Sequence, residues 1–293
     1  MWRSPRVRLC DSLDCPRRRG QARPSTVNQH EGGRELQERG PAAYLAEFVG
    51  TLLLVFSITA TLSLFLAEPT ATNPTPFIDW SVIGLVHALV LALLFYALRP
   101  FSGGHLNPAI SVAMAALGRI RGADAVVYIV CQLAGATVGA LLTKLLLLDE
   151  GRPFDWGAVA VSDRLSGNAA LGMLAEGIGV FLLVWIFIEI VQRQHPNAGA
   201  GPLWLGAALG VAAMIFGPLT GAAVNPARAF GPALVAPSFG GVGKFLLVYV
   251  AAPVLAALAA CGVSVALRSL HGGDPRDAEP TAFAGEPART SKR

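Results

Sequence analysis

The sequence predicts an all-α membrane protein: six transmembrane helices plus two re-entrant half-helices, arranged as an inverted repeat. Three observations predict it. Of 293 residues, 53% are hydrophobic and 14% charged, with mean hydropathy +0.53, so a bilayer is the expected solvent. Apolar runs of bilayer length, about 20 residues each, recur six times, and charged residues cluster in the tails and in the breaks between runs. Two matching blocks, each carrying Asn-Pro-Ala, then occupy the same place in the two halves of the chain.

The runs extend from Tyr44 to Ala67, Trp80 to Leu98, Ala123 to Leu148, Ala169 to Val191, Gly201 to Leu219 and Gly243 to Leu267. Several hold almost no charge across a full membrane thickness, which separates them from the core helices of a large soluble protein. Arg and Lys give the orientation. Nine Arg precede Tyr44; Arg99, Arg119 and Arg121 follow the second run, Arg193 the fourth and Arg268 the sixth. The alternate breaks are poorer in bases: 68–79 has no Arg or Lys, and 149–168 offsets Arg152 and Arg164 with four acids. Six spans with both termini cytoplasmic satisfy the positive-inside rule.

Residues 1–42 form an Arg-rich tail with Pro, Gly and five acids but no apolar h-region, so disorder is expected and a cleavable signal is not. Attraction to anionic lipid headgroups is the weaker alternative, because the acids are interspersed. A second disordered tail is expected over 269–293, which leaves one membrane domain at 43–268. Cys10 and Cys15 lie in the first tail, whereas Cys131 and Cys261 sit inside apolar runs as small hydrophobes. Neither a disulfide framework nor metal-ligand spacing is present. No nucleophile and base stand at motif spacing and no phosphate-binding glycine motif follows a strand, so no catalytic residue, cofactor or metal is expected. A basic tail on six spans does not imply a nucleic-acid partner.

The chain is doubled. Ala46-Glu47-Phe48-Val49-Gly50-Thr51 opens the first run and Ala175-Glu176-Gly177-Ile178-Gly179-Val180 opens the fourth. Asn107-Pro108-Ala109 follows the second run, 60 residues after Glu47, and Asn225-Pro226-Ala227 follows the fifth, 49 residues after Glu176. Three spans per half is an odd number, so the second copy (169–268) enters the bilayer from the face opposite to the first (43–148). That makes a pseudo-two-fold axis in the membrane plane, an arrangement that builds transport paths between halves.

Each Asn-Pro-Ala block heads a segment too short to span. Asn at N-cap accepts from a backbone N–H, and Pro at N1 has no N–H to leave unsatisfied, so both blocks read as the starts of half-helices. Gly103-Gly104-His105-Leu106 precedes the first and Gly221-Ala222-Ala223-Val224 the second, and both are expected to be flexible extended strands. Entering from opposite faces, the two tips can meet near the midplane. Non-helical backbone at that depth is tolerable only where it is packed in protein or lines water, and a wet path is thereby implied.

The paired motifs resemble the signature of the aquaporin, or major intrinsic protein, family, and the likeness extends over nearly all of 43–267. It includes the two Ala-Glu openings, Gly104-His105-Leu106-Asn107-Pro108-Ala109, Gln132-Leu133-Ala134-Gly135-Ala136, and Asn225-Pro226-Ala227-Arg228 with Phe230-Gly231. The resemblance implies a passive pore for water and small neutral solutes such as glycerol, ammonia or peroxide that excludes protons and ions. Backbone carbonyls of Gly103, Gly104, His105, Gly221, Ala223 and Val224 would replace hydration along the file. The Asn107 and Asn225 amides would donate to a passing oxygen, and the two half-helix dipoles would disfavour cations where the tips meet. Glu47 and Glu176 would brace the non-helical loops.

Arg228 resembles the family's constriction arginine, and counting from the motifs as the family does places the other constriction positions at His87, Ala213 and Ala222. Strict water pores carry an aromatic ring at the first of these and a histidine at the second, so this pattern departs from them. Two small side chains facing Arg228 imply a wider aperture. A histidine satisfied in the core is the plainer reading of His87. Two rivals remain: a secondary transporter with inverted repeats, which needs an acidic coupling site at mid-membrane, and a closed structural or adhesion protein of the same fold. A homotetramer is implied by resemblance; Gly135, Ala136 and Gly139 permit close helix packing without saying between which partners. High Arg, Ala and Gly with three Lys points to a GC-rich genome, hence a bacterial inner membrane.

Overall fold

The computed structural model describes residues 40–65, 76–192 and 200–271, with the side chains of 76–79 and 192 left aside. Most of the two expected tails, 1–42 and 269–293, therefore lies outside the described residues. Eight helices are described: α1 (Pro41–Phe65), α2 (Pro76–Ser102), the short α3 (Pro108–Ala116), α4 (Gly122–Leu146), α5 (Ala169–Gln192), α6 (Gly201–Thr220), the short α7 (Pro226–Val235) and α8 (Val242–Leu270). All but α3 and α7 are long and apolar enough to cross a bilayer, as predicted. Two short 3-10 turns, Arg152–Gly157 and Asp163–Leu165, lie in the connection from α4 to α5.

Local chemistry sets most boundaries. Pro41 stands at the start of α1, where its missing N–H costs nothing and its φ is already helical, so the helix begins within the segment expected as tail. Helix α2 runs past Leu98 and through Pro100 to Ser102; a proline one turn from a helix end forfeits a single i→i−4 bond there. In α8 a π turn over Leu247–Ala251 interrupts the helix, whereas α4, at the same place in the first half, is regular.

Packing follows the doubled sequence. Helix α1 packs on α4 as α5 packs on α8; α3 lies against α8 as α7 lies against α4; α2 and α6 pack on each other and join the halves. Close approach is made by small residues. A Cβ on Gly135 or Gly139 would overlap the carbonyl oxygens of Phe48 and Leu52 on α1, and one on Gly206 would overlap the Ala88 carbonyl on α2. Leu54, Ile58, Val180, Leu183 and Phe187 are buried, while Leu53, Leu93, Tyr96, Val130, Leu145 and Leu255 are exposed. An apolar outside around an apolar and polar inside is the pattern of helices solvated by lipid.

Gly206→Val places two methyls and a Cβ where the Ala88 carbonyl stands, so the α2–α6 seam must open. We expect a loss of about 1–3 kcal/mol, read as an apparent melting temperature several degrees lower in detergent; an unshifted transition would show that the seam is not tight.

Candidate functional site

The two short helices meet tip to tip. Asn107, extended at φ −155° and ψ 122°, caps α3 by accepting from the Ala109 N–H at 2.9 Å. Asn225, at φ −156° and ψ 112°, caps α7 by accepting from the N–H groups of Ala227 at 2.9 Å and Arg228 at 3.3 Å. Pro108 and Pro226 occupy N1 of their helices, followed by the buried Ala109 and Ala227. Each amide nitrogen then reaches across the pseudo-two-fold axis: Asn107 Nδ2 donates to the Val224 carbonyl at 2.9 Å and Asn225 Nδ2 to the Leu106 carbonyl at 2.8 Å. A primary amide has two N–H bonds, so one per asparagine is used across the axis and the other is left for the cavity that both residues line.

The loops before the tips are not simple extended strands. Gly103, Gly104 and Leu106 have φ of 88°, 68° and 50°, and Gly221, Ala222 and Val224 have 78°, 42° and 51°. Glycine adopts such values freely, whereas a non-glycine residue held there costs roughly 1–3 kcal/mol. Two buried carboxylates hold these loops. Glu47 accepts from the N–H groups of His105 at 3.0 Å and Leu106 at 2.7 Å. Glu176 accepts from those of Ala223 at 2.9 Å and Val224 at 2.7 Å.

Supporting residues that the sequence reading did not single out repeat in the same way. Ser102 Oγ accepts from the Gly104 N–H and Thr220 Oγ1 from the Ala222 N–H. Tyr128 and Tyr249 hydroxyls donate to the carbonyls of Ser102 at 2.8 Å and Thr220 at 2.9 Å. The available signal was register: Ser102 and Thr220 are separated by the same interval as Asn107 and Asn225. Other contacts belong to one half. Gln132 Nε2 donates to Glu47 Oε2 at 2.7 Å and to Ser111 Oγ at 3.0 Å, and His105 Nδ1 pairs with Ser111 Oγ at 3.1 Å. Common to both halves, by contrast, is the bond from Thr220 Oγ1 to Glu176 at 2.6 Å, which Ser102 and Glu47 repeat.

The cavity is lined by the aliphatic side chains of Leu54, Ile58, Leu91, Ile110, Leu183 and Leu209 together with His105, Leu106, Asn107, Ala223, Asn225 and Arg228. Of the four expected constriction residues, Arg228 borders this cavity. His87, Ala213 and Ala222 are buried, at 2%, 0% and 1% exposure, outside its lining. His87 Nδ1 lies 2.7 Å from the Ile83 carbonyl on its own helix; a carbonyl only accepts, so Nδ1 carries the proton and Nε2 is left with a lone pair. Of the backbone expected to line the path, His105 and Ala223 border the cavity and Gly103, Gly104, Gly221 and Val224 do not. Arg228 is 1% exposed; its Nη1 donates to the Gly157 carbonyl at 2.9 Å, and Nε and Nη2 have no partner in the protein. Gly157, in the connection between α4 and α5, carries no motif and was not legible in advance.

Among the described residues, no group of three or more His, Cys, Asp or Glu is placed to hold a metal ion. Among the described side chains, the acids of the membrane-spanning helices have other partners: besides Glu47 and Glu176, Asp124 accepts from Tyr44 and Arg121, and Glu189 from Ser264 and Arg268. What remains available in the lumen is a short set of donors among aliphatic side chains, suited to neutral solutes that carry hydrogen-bonding oxygens or nitrogens.

Comparison with known proteins adds the following. The family model described as major intrinsic protein matches residues 38–263. Over 224 residues the chain is 33% identical to a glycerol uptake facilitator protein-like 6 of Lactiplantibacillus plantarum, covering 74% of this chain and 94% of that one. Over 231 residues it is 31% identical to aquaporin AqpM of Methanothermobacter marburgensis, covering 74% and 93%. Among solved structures, the aquaglyceroporin from Plasmodium falciparum superposes with TM-score 0.65 at 21% identity, covering 78% of this chain and 98% of that one; at that identity it speaks for the fold.

Replacing one carboxylate oxygen by an amide leaves one buried loop N–H without its acceptor. Glu176→Gln is therefore expected to cost about 1–3 kcal/mol, lowering the thermal transition of the purified protein, and Glu47→Gln likewise; a transition unmoved in both would show that the loops hold themselves.

Proposed function

The chain belongs to the major intrinsic protein family, an integral membrane channel and not an enzyme, and from that we propose that its lumen conducts water together with small neutral solutes. The supporting observation is the crossed pair of asparagines. Each spends its carbonyl on its own helix and one N–H on the opposite loop, so the remaining N–H of each is fixed in direction. A water oxygen accepting from both donors has its hydrogens turned along the lumen, away from each other, which interrupts a proton wire. The positive ends of α3 and α7 converge on the same point and disfavour hydronium and other cations there. Glu47 and Glu176 act as braces for the loops rather than as carriers of solute.

Arg228 acts as the constriction residue, a fixed charge with two unspent donor groups that repels cations and hydrogen-bonds solute. We read Ala213 and Ala222, which stand outside the lining of the cavity, as leaving room beside it and the bare Nε2 of His87 as an acceptor past that lining, so that a polyol hydroxyl or ammonia finds both a donor and an acceptor. The relative of Lactiplantibacillus plantarum bears a glycerol uptake facilitator name and that of Methanothermobacter an aquaporin name, and the two names together are in keeping with this reading. The engaged acids in the helices speak against a gradient-coupled transporter. We further propose a homotetramer with lipid around it, both termini cytoplasmic, in a bacterial inner membrane. Exposed Leu and Val on α1 and α4 supply the faces that lipid or neighbouring subunits cover.

Stopped-flow light scattering on proteoliposomes tests the reading. The wild-type protein should pass water, glycerol and ammonia above protein-free vesicles. His87→Phe should lower glycerol relative to water on the order of tenfold, the discrimination that one added group supplies in a tight site. Retention of every neutral solute larger than water by the wild type would refute the wide aperture.

Where Arg228 carries the charge selection, Arg228→Ala should let a pH gradient collapse faster across the same vesicles while water flux persists. An unaltered gradient lifetime would place that selection at the asparagines alone.

A further inference from the structure

Arg228 has one protein partner for its guanidinium, the Gly157 carbonyl. Where that carbonyl stands therefore decides where the charge stands. Gly157 closes a run of three consecutive left-handed residues, with φ of 49° at Asp155, 48° at Trp156 and 81° at Gly157. L-residues do not keep such a turn unaided.

Contacts between its own side chains and residues outside the turn hold it. Trp156 Nε1 donates to the Leu147 carbonyl at 3.2 Å, at the end of α4. The ammonium of Lys144, in the last turn of α4, lies 4.3 Å from the centroid of the Trp156 indole. That same ammonium donates at 3.1 Å to the carbonyl of Val235, the last residue of α7. Asp155 accepts from Ser238 Oγ at 2.7 Å, a second tie to the chain that follows α7. Lys144 thus stands at the negative ends of two helices and on the face of the ring that holds cations best. It joins the helix that carries Arg228 at its start to the turn that receives Arg228.

We propose that Lys144 and Trp156 are positioning residues for solute selection: by clasping the 155–157 turn against the ends of α4 and α7 they fix the Gly157 carbonyl, and through it the reach of the Arg228 guanidinium into the lumen. This rests on the reading of Arg228 as the constriction residue. Loosening the clasp frees the carbonyl, lets the guanidinium withdraw and widens the aperture without touching any residue that lines it.

The test uses the full chain in proteoliposomes and reads the ratio of glycerol to water permeability in Lys144→Met, Lys144→Arg, Trp156→Phe and Ser238→Ala. Lys144→Met should raise the ratio roughly two- to fivefold, the fold-change that an exposed cation–π contact corresponds to, with water flux kept. Lys144→Arg, which retains a cation over the ring, should restore the wild-type ratio, and Ser238→Ala should raise it by less than Lys144→Met. A purely structural role would lower thermal stability or reconstituted yield and reduce both fluxes together, with the ratio unmoved. That outcome in Lys144→Met overturns the proposal; if this variant does not assemble, the same outcome in Ser238→Ala and Trp156→Phe does so. A wild-type protein that conducts no water fails before any variant is compared, and overturns the reading of the lumen along with the clasp.

Discussion

Glu47 and Glu176 each accept two backbone N–H groups from a loop that has left helical geometry while still enclosed by apolar helices, and the lumen is assembled on those four bonds. In hydrocarbon an unpaired N–H costs several kcal/mol, because no water stands ready to replace its partner. The same loops place Leu106, Ala222 and Val224 at positive φ, a conformation that side chains disfavour. Carboxylates meet both demands at once, since two oxygens can serve two adjacent donors. Ser102 and Thr220 take the next N–H along, and Tyr128 and Tyr249 take up the carbonyls where α2 and α6 end.

Symmetry ends at Arg228. Beside the Glu47 brace, the tip of the first half is surrounded by Gln132, Ser111 and a His105 ring packed edge-on against Tyr128 and Phe187. The tip of the second half carries Arg228, answered by a carbonyl from the connection between the repeats. That connection has no counterpart of like length in either half. The duplication therefore supplies the frame of the lumen, and the linker between the copies supplies the partner of its one fixed charge.

The six spans, the inversion and the half-helices were legible in the sequence because each rests on a local rule: apolar length, parity of spans, and Asn-Pro at a helix start. Span ends were legible to within a turn, with α2 running furthest beyond expectation through Pro100. The loop conformation was not legible. Gly103 and Gly221 announce positive φ, but Leu106 and Val224 adopt it only because a carboxylate about 50 residues away in sequence over-determines them. Gly157 was hidden for a related reason: its role depends on a three-dimensional meeting with Arg228, and nothing about a glycine in a polar connection marks which carbonyl will face inward. Of the residues carried over by resemblance, the asparagines and Arg228 border the cavity, and His87, Ala213 and Ala222 are buried outside its lining.

The crossed amide bonds have a mechanical corollary. Each repeat is fastened to the other where the two tips meet, Asn107 to Val224 and Asn225 to Leu106, so neither can rock without breaking both stitches. A protein sewn shut along its own hinge line has no alternating coordinate and hence no turnover cycle. Traffic through it follows the chemical potential in either direction, and its speed is set by the passenger's friction with the wall.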